Sequence, residues 1–230
     1  MGNMLYTWII NISGGIKPSK WEYLLNHIDI DRKNSISKFR FLVDQKRSLI
    51  AGLLIKAMIN ELYPNKDMKL SYGKNYYGKP FNKEVPEIFF NISHSGEYVC
   101  CAISDSEVGV DIEEINPFME IDSFKDFFTK EEWIQVLDEK NNSHDMFFSL
   151  WTLKESYIKK IGTGLSKELN SFSIFLDNQI RVVDSQIEKR NTHFLLYDIG
   201  SSYKMAICSE KRVDNGKQEL SIQEFLDRFY

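Results

Sequence analysis

The sequence lacks what would mark a membrane, secreted or nucleic-acid-binding chain. Its 230 residues contain only three cysteines and four histidines. No apolar run is long enough to span a bilayer, no cleavable signal pattern opens the chain, and residues 8–12 make only a strand-length stretch. Cys100, Cys101 and Cys208 have no metal-ligand spacing and stand in apolar, strand-like runs, which predicts buried thiols in a reducing cytoplasm. Lys+Arg number 29 against 33 Asp+Glu, a net charge of −4, so the basic excess of a dedicated nucleic-acid binder is missing. What is present is core material: 43% apolar and 13% aromatic residues predict a packed globule with one large domain or two small ones.

Periodicity divides the chain into two helix-then-strand runs. A strand over 5–12 and a short helix over 20–27 precede a long helical pattern over 37–62, stopped by Pro64. The glycine-punctuated segment 71–81 reads as a loop or short hairpin. Three strand-like runs follow between 88 and 113, read as a meander. Asn116-Pro117 looks like a helix start with Pro at the first position, and Thr129 with Glu132 matches a capping box. Residues 138–145 read as a polar loop, and 146–161 as a helix ended by Gly162-Thr163-Gly164. Strands over 172–176, 180–183, 194–199 and 203–208 come next, then a charged tail from Val213 with a helical pattern over 222–229. YVCCAIS at Tyr98 faintly echoes YKMAICS at Tyr203, a hint of internal duplication with a ligand-binding cleft between the halves.

The segment 90–113 carries the most functional information. Its first and third strands should run the same way, bringing His94 near Asp111 and Glu113. Two carboxylates two residues apart on a strand share one face, and oxygen ligands beside an imidazole suggest a Mg²⁺ site that meets phosphate. The plain alternative is a polar strand end with a surface histidine; the other three histidines, His27, His144 and His193, carry no motif. In the 146–161 helix, Met146, Leu150, Leu153, Tyr157 and Ile161 form one apolar stripe, and Phe147, Trp151 and Ile158 a second. Glu155 and Lys159 stand one turn apart on the remaining face. They read either as a surface ion pair or as a third carboxylate with an ammonium suited to a phosphate-bound metal.

Ser93-His94-Ser95, Gly109-Val110-Asp111-Ile112-Glu113 and the run from Trp151 to Lys159 (WTLKESYIK) together resemble the Sfp-type 4′-phosphopantetheinyl transferases. The similarity takes in Tyr77-Gly78-Lys79-Pro80 and the segment around Phe127–Glu132. It implies an α+β fold of two similar lobes in one chain, residues 1–115 and 116–230, with coenzyme A in the cleft between them. It further implies Mg²⁺ bound by Asp111, Glu113 and Glu155, with Lys159 and His94 on the phosphates. Ser93, His94 and Arg47 would hold the 3′-phosphate, helped by Arg32, with Ser35 where a second family lysine stands; Lys79 and Pro80 would lie along the adenine. Catalysis would fall to Glu155, Lys159 and His94, with Glu155 the first choice of base and Glu132, explained by its capping box, a secondary candidate. The partners implied are coenzyme A and apo carrier domains of peptide, polyketide or fatty-acid synthases, docking along 118–128 with Phe118 and Met119 as anchors. Neither nucleic acid nor membrane is expected as a partner, and a monomer is the simpler expectation. A non-catalytic coenzyme A- or carrier-binding relative and a Mg²⁺-dependent phosphohydrolase are the competing readings.

Overall fold

In the computed structural model, which describes residues 4–64, 71–138, 142–186, 191–212 and 216–230, the apolar runs form two sheets, each covered by a long helix. The first half contributes β1 (Leu5–Asn11), α1 (Pro18–Leu25), α2 (Ile30–Ile36), α3 (Leu42–Leu62), β2 (Tyr72–Lys74), β3 (Pro80–Asn82), β4 (Phe89–Ser95) and β5 (Tyr98–Ser104). Then come β6 (Val108–Glu114), a 3₁₀ turn (Ile121–Phe127), α4 (Lys130–Asp138) and α5 (Ser143–Ile161). The chain continues through β7 (Ser173–Leu176), β8 (Ile180–Val183), β9 (His193–Ile199), β10 (Tyr203–Ser209), β11 (Lys217–Ser221) and α6 (Ile222–Phe229).

Strands β2-β3 and β7-β8 form separate two-stranded sheets; of the two larger sheets, one has the order β11-β1-β5-β4 and the other β6-β10-β9. Within them β1–α3–β4–β5 and β6–α5–β9–β10 share one plan: the last strand is central, with antiparallel neighbours on both sides. These are the two similar α+β lobes. The echo between YVCCAIS and YKMAICS is the echo of the two central strands, and their first residues, Tyr98 and Tyr203, meet edge to face with ring centroids 4.8 Å apart.

Both faces of each central strand are buried, so β5 and β10 are apolar almost throughout. Val99, Cys101 and Ile103 point into a core beneath α3 and α6, while Cys100 and Ala102 point into a second core between the sheets, with Val110, Ile112, Met205 and Ile207. A third core joins α4 and α5 to the outer face of the second sheet. All three cysteines are buried thiols, as expected, and burial pushes Cys100 up to about 12.

Several elements differ from the sequence reading. The strands of 88–113 do not form one meander: β1 occupies the free edge of β5, so β6 crosses over to pair with β10. The expected break at 115/116 therefore falls just after a strand of the second sheet, and β11 and α6 return from the C-terminal part to the first. The helix expected over 37–62 begins at Leu42, behind a separate α2. Asp29 caps α2 by accepting a hydrogen bond from Arg32 N at 2.8 Å, and the Ser37 hydroxyl bonds back to Asn34 O at its end. Asn116-Pro117 opens a turn, because the Asn116 side chain accepts from Phe118 N at 3.0 Å. The polar loop expected over 138–145 falls partly outside the described residues, as does the tail at 213–215.

Candidate functional site

Strands β4 and β6 run side by side at the junction of the two sheets, and β4 side chains stitch them together. Asn91, Ser93 and Ser95 share one face of β4 because the side-chain period of a strand is two. Asn91 Oδ1 accepts from Val110 N at 2.9 Å, Ser93 Oγ donates to Asp111 Oδ1 at 2.8 Å, and Ser95 Oγ donates to Glu113 Oε2 at 3.0 Å. The two serines of the Ser-His-Ser motif thus orient the two carboxylates, while His94 between them points to the exposed side. Asn91 and Ser95 were not singled out as site residues. The signal that could have found them is a polar residue at every second position of an otherwise apolar strand.

Glu155 reaches the same spot from α5 because Gly109 lets that helix approach. A Cβ on Gly109 would stand 2.0 Å from Ser156 O and 2.4 Å from Lys160 N, both backbone atoms of the facing helix. Only glycine permits this contact. The carboxylates therefore feel one another. Burial, then the charge of Asp111, with Glu155 adding to it, pushes Glu113 up to about 7; burial and Asp111 raise Glu155 as well. Lys159 does not turn along its own helix. Its ammonium donates to Asp111 Oδ1 at 2.7 Å and Ser93 Oγ at 2.8 Å, tying α5 to β6 and β4 at once. Burial alone would lower Lys159, but Asp111 outweighs it and holds the ammonium above its ordinary pKa.

The second carboxylate oxygen of Asp111, Oδ2, is buried and has no hydrogen-bond partner. An orphaned anionic oxygen is costly unless something positive meets it. Beside two further carboxylates of raised pKa, it makes an oxygen-only donor set of the kind a hard divalent cation satisfies. Among the described residues no three His, Cys, Asp or Glu side chains are yet drawn into coordinating geometry.

The remaining residues named from sequence fall around this centre. Partial desolvation at the surface, then the charges of Arg47 and Lys159, lower the pKa of His94. The Arg47 guanidinium donates to Gly96 O through Nε at 3.0 Å and Nη2 at 2.6 Å, and to Asp44 at 2.9 Å, so it braces the β4–β5 turn. Arg32 packs over Gly52, donates to Ser48 O at 3.3 Å and faces Asp29. Lys79 pairs with Glu107 and donates to Lys160 O at 2.8 Å, while Pro80 and Phe81 line a cavity of about 270 Å³ with Pro86, Phe89 and Glu107. Glu132 makes the expected capping box with Thr129, but its carboxylate is fully buried. It accepts from Lys154 on both oxygens, from Ile174 N at 2.7 Å and from Thr129 N at 2.8 Å. No lone pair is left to take a proton from a partner's hydroxyl. Phe118 is 91% exposed, whereas Met119 packs partly against the core under α5, and Trp151 gathers Phe124, Phe127 and Phe128 around the adjoining 3₁₀ turn.

The fold defines a two-lobed α+β protein, with Lys159 paired to Asp111 and the Asp111 charge felt by Glu113 and Glu155 along the β6–α5 contact. Sequence models of the 4′-phosphopantetheinyl transferase superfamily and of the 4′-phosphopantetheinyl transferase N-terminal region match residues 107–208 and 16–106. The chain is 33% identical over 193 residues to the 4′-phosphopantetheinyl transferase Sfp of Bacillus subtilis (strain 168), covering 82% of this chain and 84% of that one. It is also 33% identical over 207 residues to the 4′-phosphopantetheinyl transferase gsp of Aneurinibacillus migulanus, covering 90% and 86%. A holo-(acyl-carrier-protein) synthase from Bacillus anthracis, solved with CoA (3′,5′-ADP), aligns with TM-score 0.40 and 19% identity over 45% of this chain and 94% of that one. The chain belongs to the 4′-phosphopantetheinyl transferases. It is an enzyme of that transfer, with coenzyme A as donor.

Proposed function

We propose that this chain moves 4′-phosphopantetheine from coenzyme A to a serine of an apo carrier domain serving a peptide, polyketide or fatty-acid synthase, in the cytoplasm and as a monomer. The observation that carries the reading is the buried, unpartnered Asp111 Oδ2, whose carboxylate raises the pKa of both Glu113 on its own strand and Glu155 on a distant helix. Asp111, Glu113 and Glu155 would hold Mg²⁺, which when bound supplies charge neutralisation to the diphosphate. The serine Oγ attacks the β-phosphorus of coenzyme A, the bridging bond from that phosphorus to the α-phosphate oxygen breaks, and adenosine 3′,5′-bisphosphate leaves. Glu155 accepts the serine proton, a task suited to a carboxylate of raised pKa. Lys159 holds its charge against the phosphate oxygens of the transition state, and His94 lies ready to bond them. Ser93, His94, Arg47 and Arg32 serve the 3′-phosphate, and Pro80 with the Lys79 stem borders the adenine. The carrier docks along 118–128, where Phe118 is presented to solvent.

Incubation with an apo carrier, coenzyme A and Mg²⁺ should add one phosphopantetheine to the carrier by mass spectrometry, and EDTA should prevent it. Glu155→Gln should lower turnover by about 10²–10⁴-fold with no fall in melting temperature. Wild-type turnover in that variant, or pantetheine phosphate released to water without carrier modification, would overturn the reading.

A further inference from the structure

The turn between β2 and β3 is built around one carboxamide. Asn75 N donates to Lys79 O at 2.9 Å, Gly78 N donates to Asn75 O at 3.0 Å, and Gly78 takes φ +93° to close the loop. Asn75 Oδ1 also accepts from Tyr77 N at 3.0 Å and from Lys79 N at 2.8 Å. That much makes a turn. The other half of the side chain leaves the first lobe altogether: Asn75 Nδ2 donates to Gly162 O at 2.9 Å.

Gly162 is the left-handed C-cap of α5, at φ +75°, and its N–H closes the helix by bonding Ile158 O at 2.9 Å. Lys159 lies three residues back along that helix, and Glu155 one turn further. The contact is close as well as polar, since a Cβ on Gly162 would stand 2.9 Å from Lys79 Cδ and 3.1 Å from Asn75 Nδ2. Lys79 adds a second strap by donating to Lys160 O and pairing with Glu107 ahead of β6. Its amine is thereby committed to the protein, leaving its stem and Pro80 to face the neighbouring cavity.

We propose that Asn75 is a positioning residue: its carboxamide clamps the 75–79 turn of the first lobe onto the C-cap of α5. The clamp sets the distance between the Lys79–Pro80 wall and the side chains of Glu155 and Lys159. This rests on the transferase reading, in which that wall borders the nucleotide end of coenzyme A. The clamp spaces the two ends of one donor molecule, so its loss should weaken capture of the donor and leave the transfer step itself unchanged.

Asn75→Asp separates clamp from turn. The carboxylate still accepts from Tyr77 N and Lys79 N, but it cannot donate to Gly162 O and repels it. With wild-type protein and a saturating apo carrier, Asn75→Asp should raise KM for coenzyme A about tenfold and weaken adenosine 3′,5′-bisphosphate binding in calorimetry by the same factor. Its kcat should stay within about twofold and its melting temperature close to wild type. Asn75→Ala, which loses turn and clamp together, should show at least the same KM effect. An Asn75→Asp enzyme with unchanged KM, whether or not its melting point moves, or one with lowered kcat at unchanged KM, would overturn the clamp. Wild-type protein that leaves the carrier unmodified would instead overturn the transferase reading on which it rests.

Discussion

At the scale of single residues, the site holds more negative charge than its surroundings satisfy. Glu113, raised to about 7 by burial and by Asp111, binds a proton more tightly in the folded than in the unfolded chain. Its stabilising contribution is therefore complete below about pH 4.5 and is lost as pH rises through 7. In metal-free protein, Glu113→Gln should be more stable than wild type at pH 8 by on the order of 2 kcal/mol. The gap should close below pH 4.5, and melting curves across that range in EDTA measure it. Glu132 differs in its partners, because its buried charge is fully answered by Lys154 and two backbone N–H groups. Glu132→Gln leaves the Lys154 ammonium buried against Phe172 with no counter-charge, and should cost about 3–5 kcal/mol in urea unfolding. Sequence alone left Glu155 and Glu132 as competing candidates for the base. Burial separates them: one lies against an open cleft with its partners few, the other is walled in by four hydrogen bonds.

At the scale of elements, α5 against β6 is the contact on which the site depends. Gly109→Ala would drive a methyl into the Ser156 carbonyl and the Lys160 amide, neither of which can swing aside. The helix must move, carrying Glu155 and Lys159 away from Asp111. The variant should lose about 3 kcal/mol of stability and fall in turnover more steeply than in folded fraction, when calorimetry is compared with the carrier assay. Many element boundaries were legible from local chemistry. The Thr129 cap, the Gly162 stop, the 71–81 hairpin and strands β8 to β10 lie where capping, φ freedom and alternation put them. Residues 37–41 were read as helix, yet Phe39 and Phe41 stand two apart, off a helical face, and Ser35 and Ser37 turn their hydroxyls back onto α2 carbonyls.

At the scale of the whole molecule, the two lobes exchange chain. The C-terminal β11 adds a parallel edge to β1, and α6 buries Ile222, Phe225 and Leu226 in the first core. Removing residues 216–230 would take these three large buried side chains out of the first core, worth about 2 kcal/mol each. The truncated chain should lose on the order of 5 kcal/mol by denaturant unfolding or fail to accumulate as folded protein, although every proposed site residue remains.

The amino-acid sequence by itself determined the helices and strands with strong periodicity, the α+β class, and the three short motifs that carry the carboxylates, serines and lysine. Those features follow from interactions within a few residues of one another. Tertiary structure alone decided that β6 would leave β5 for β10, that Lys159 would reach Ser93 across lobes, and that Asn75 would meet Gly162. Such partners lie tens of residues apart, and which of them meet depends on which strand edges and helix faces other parts of the chain have already covered.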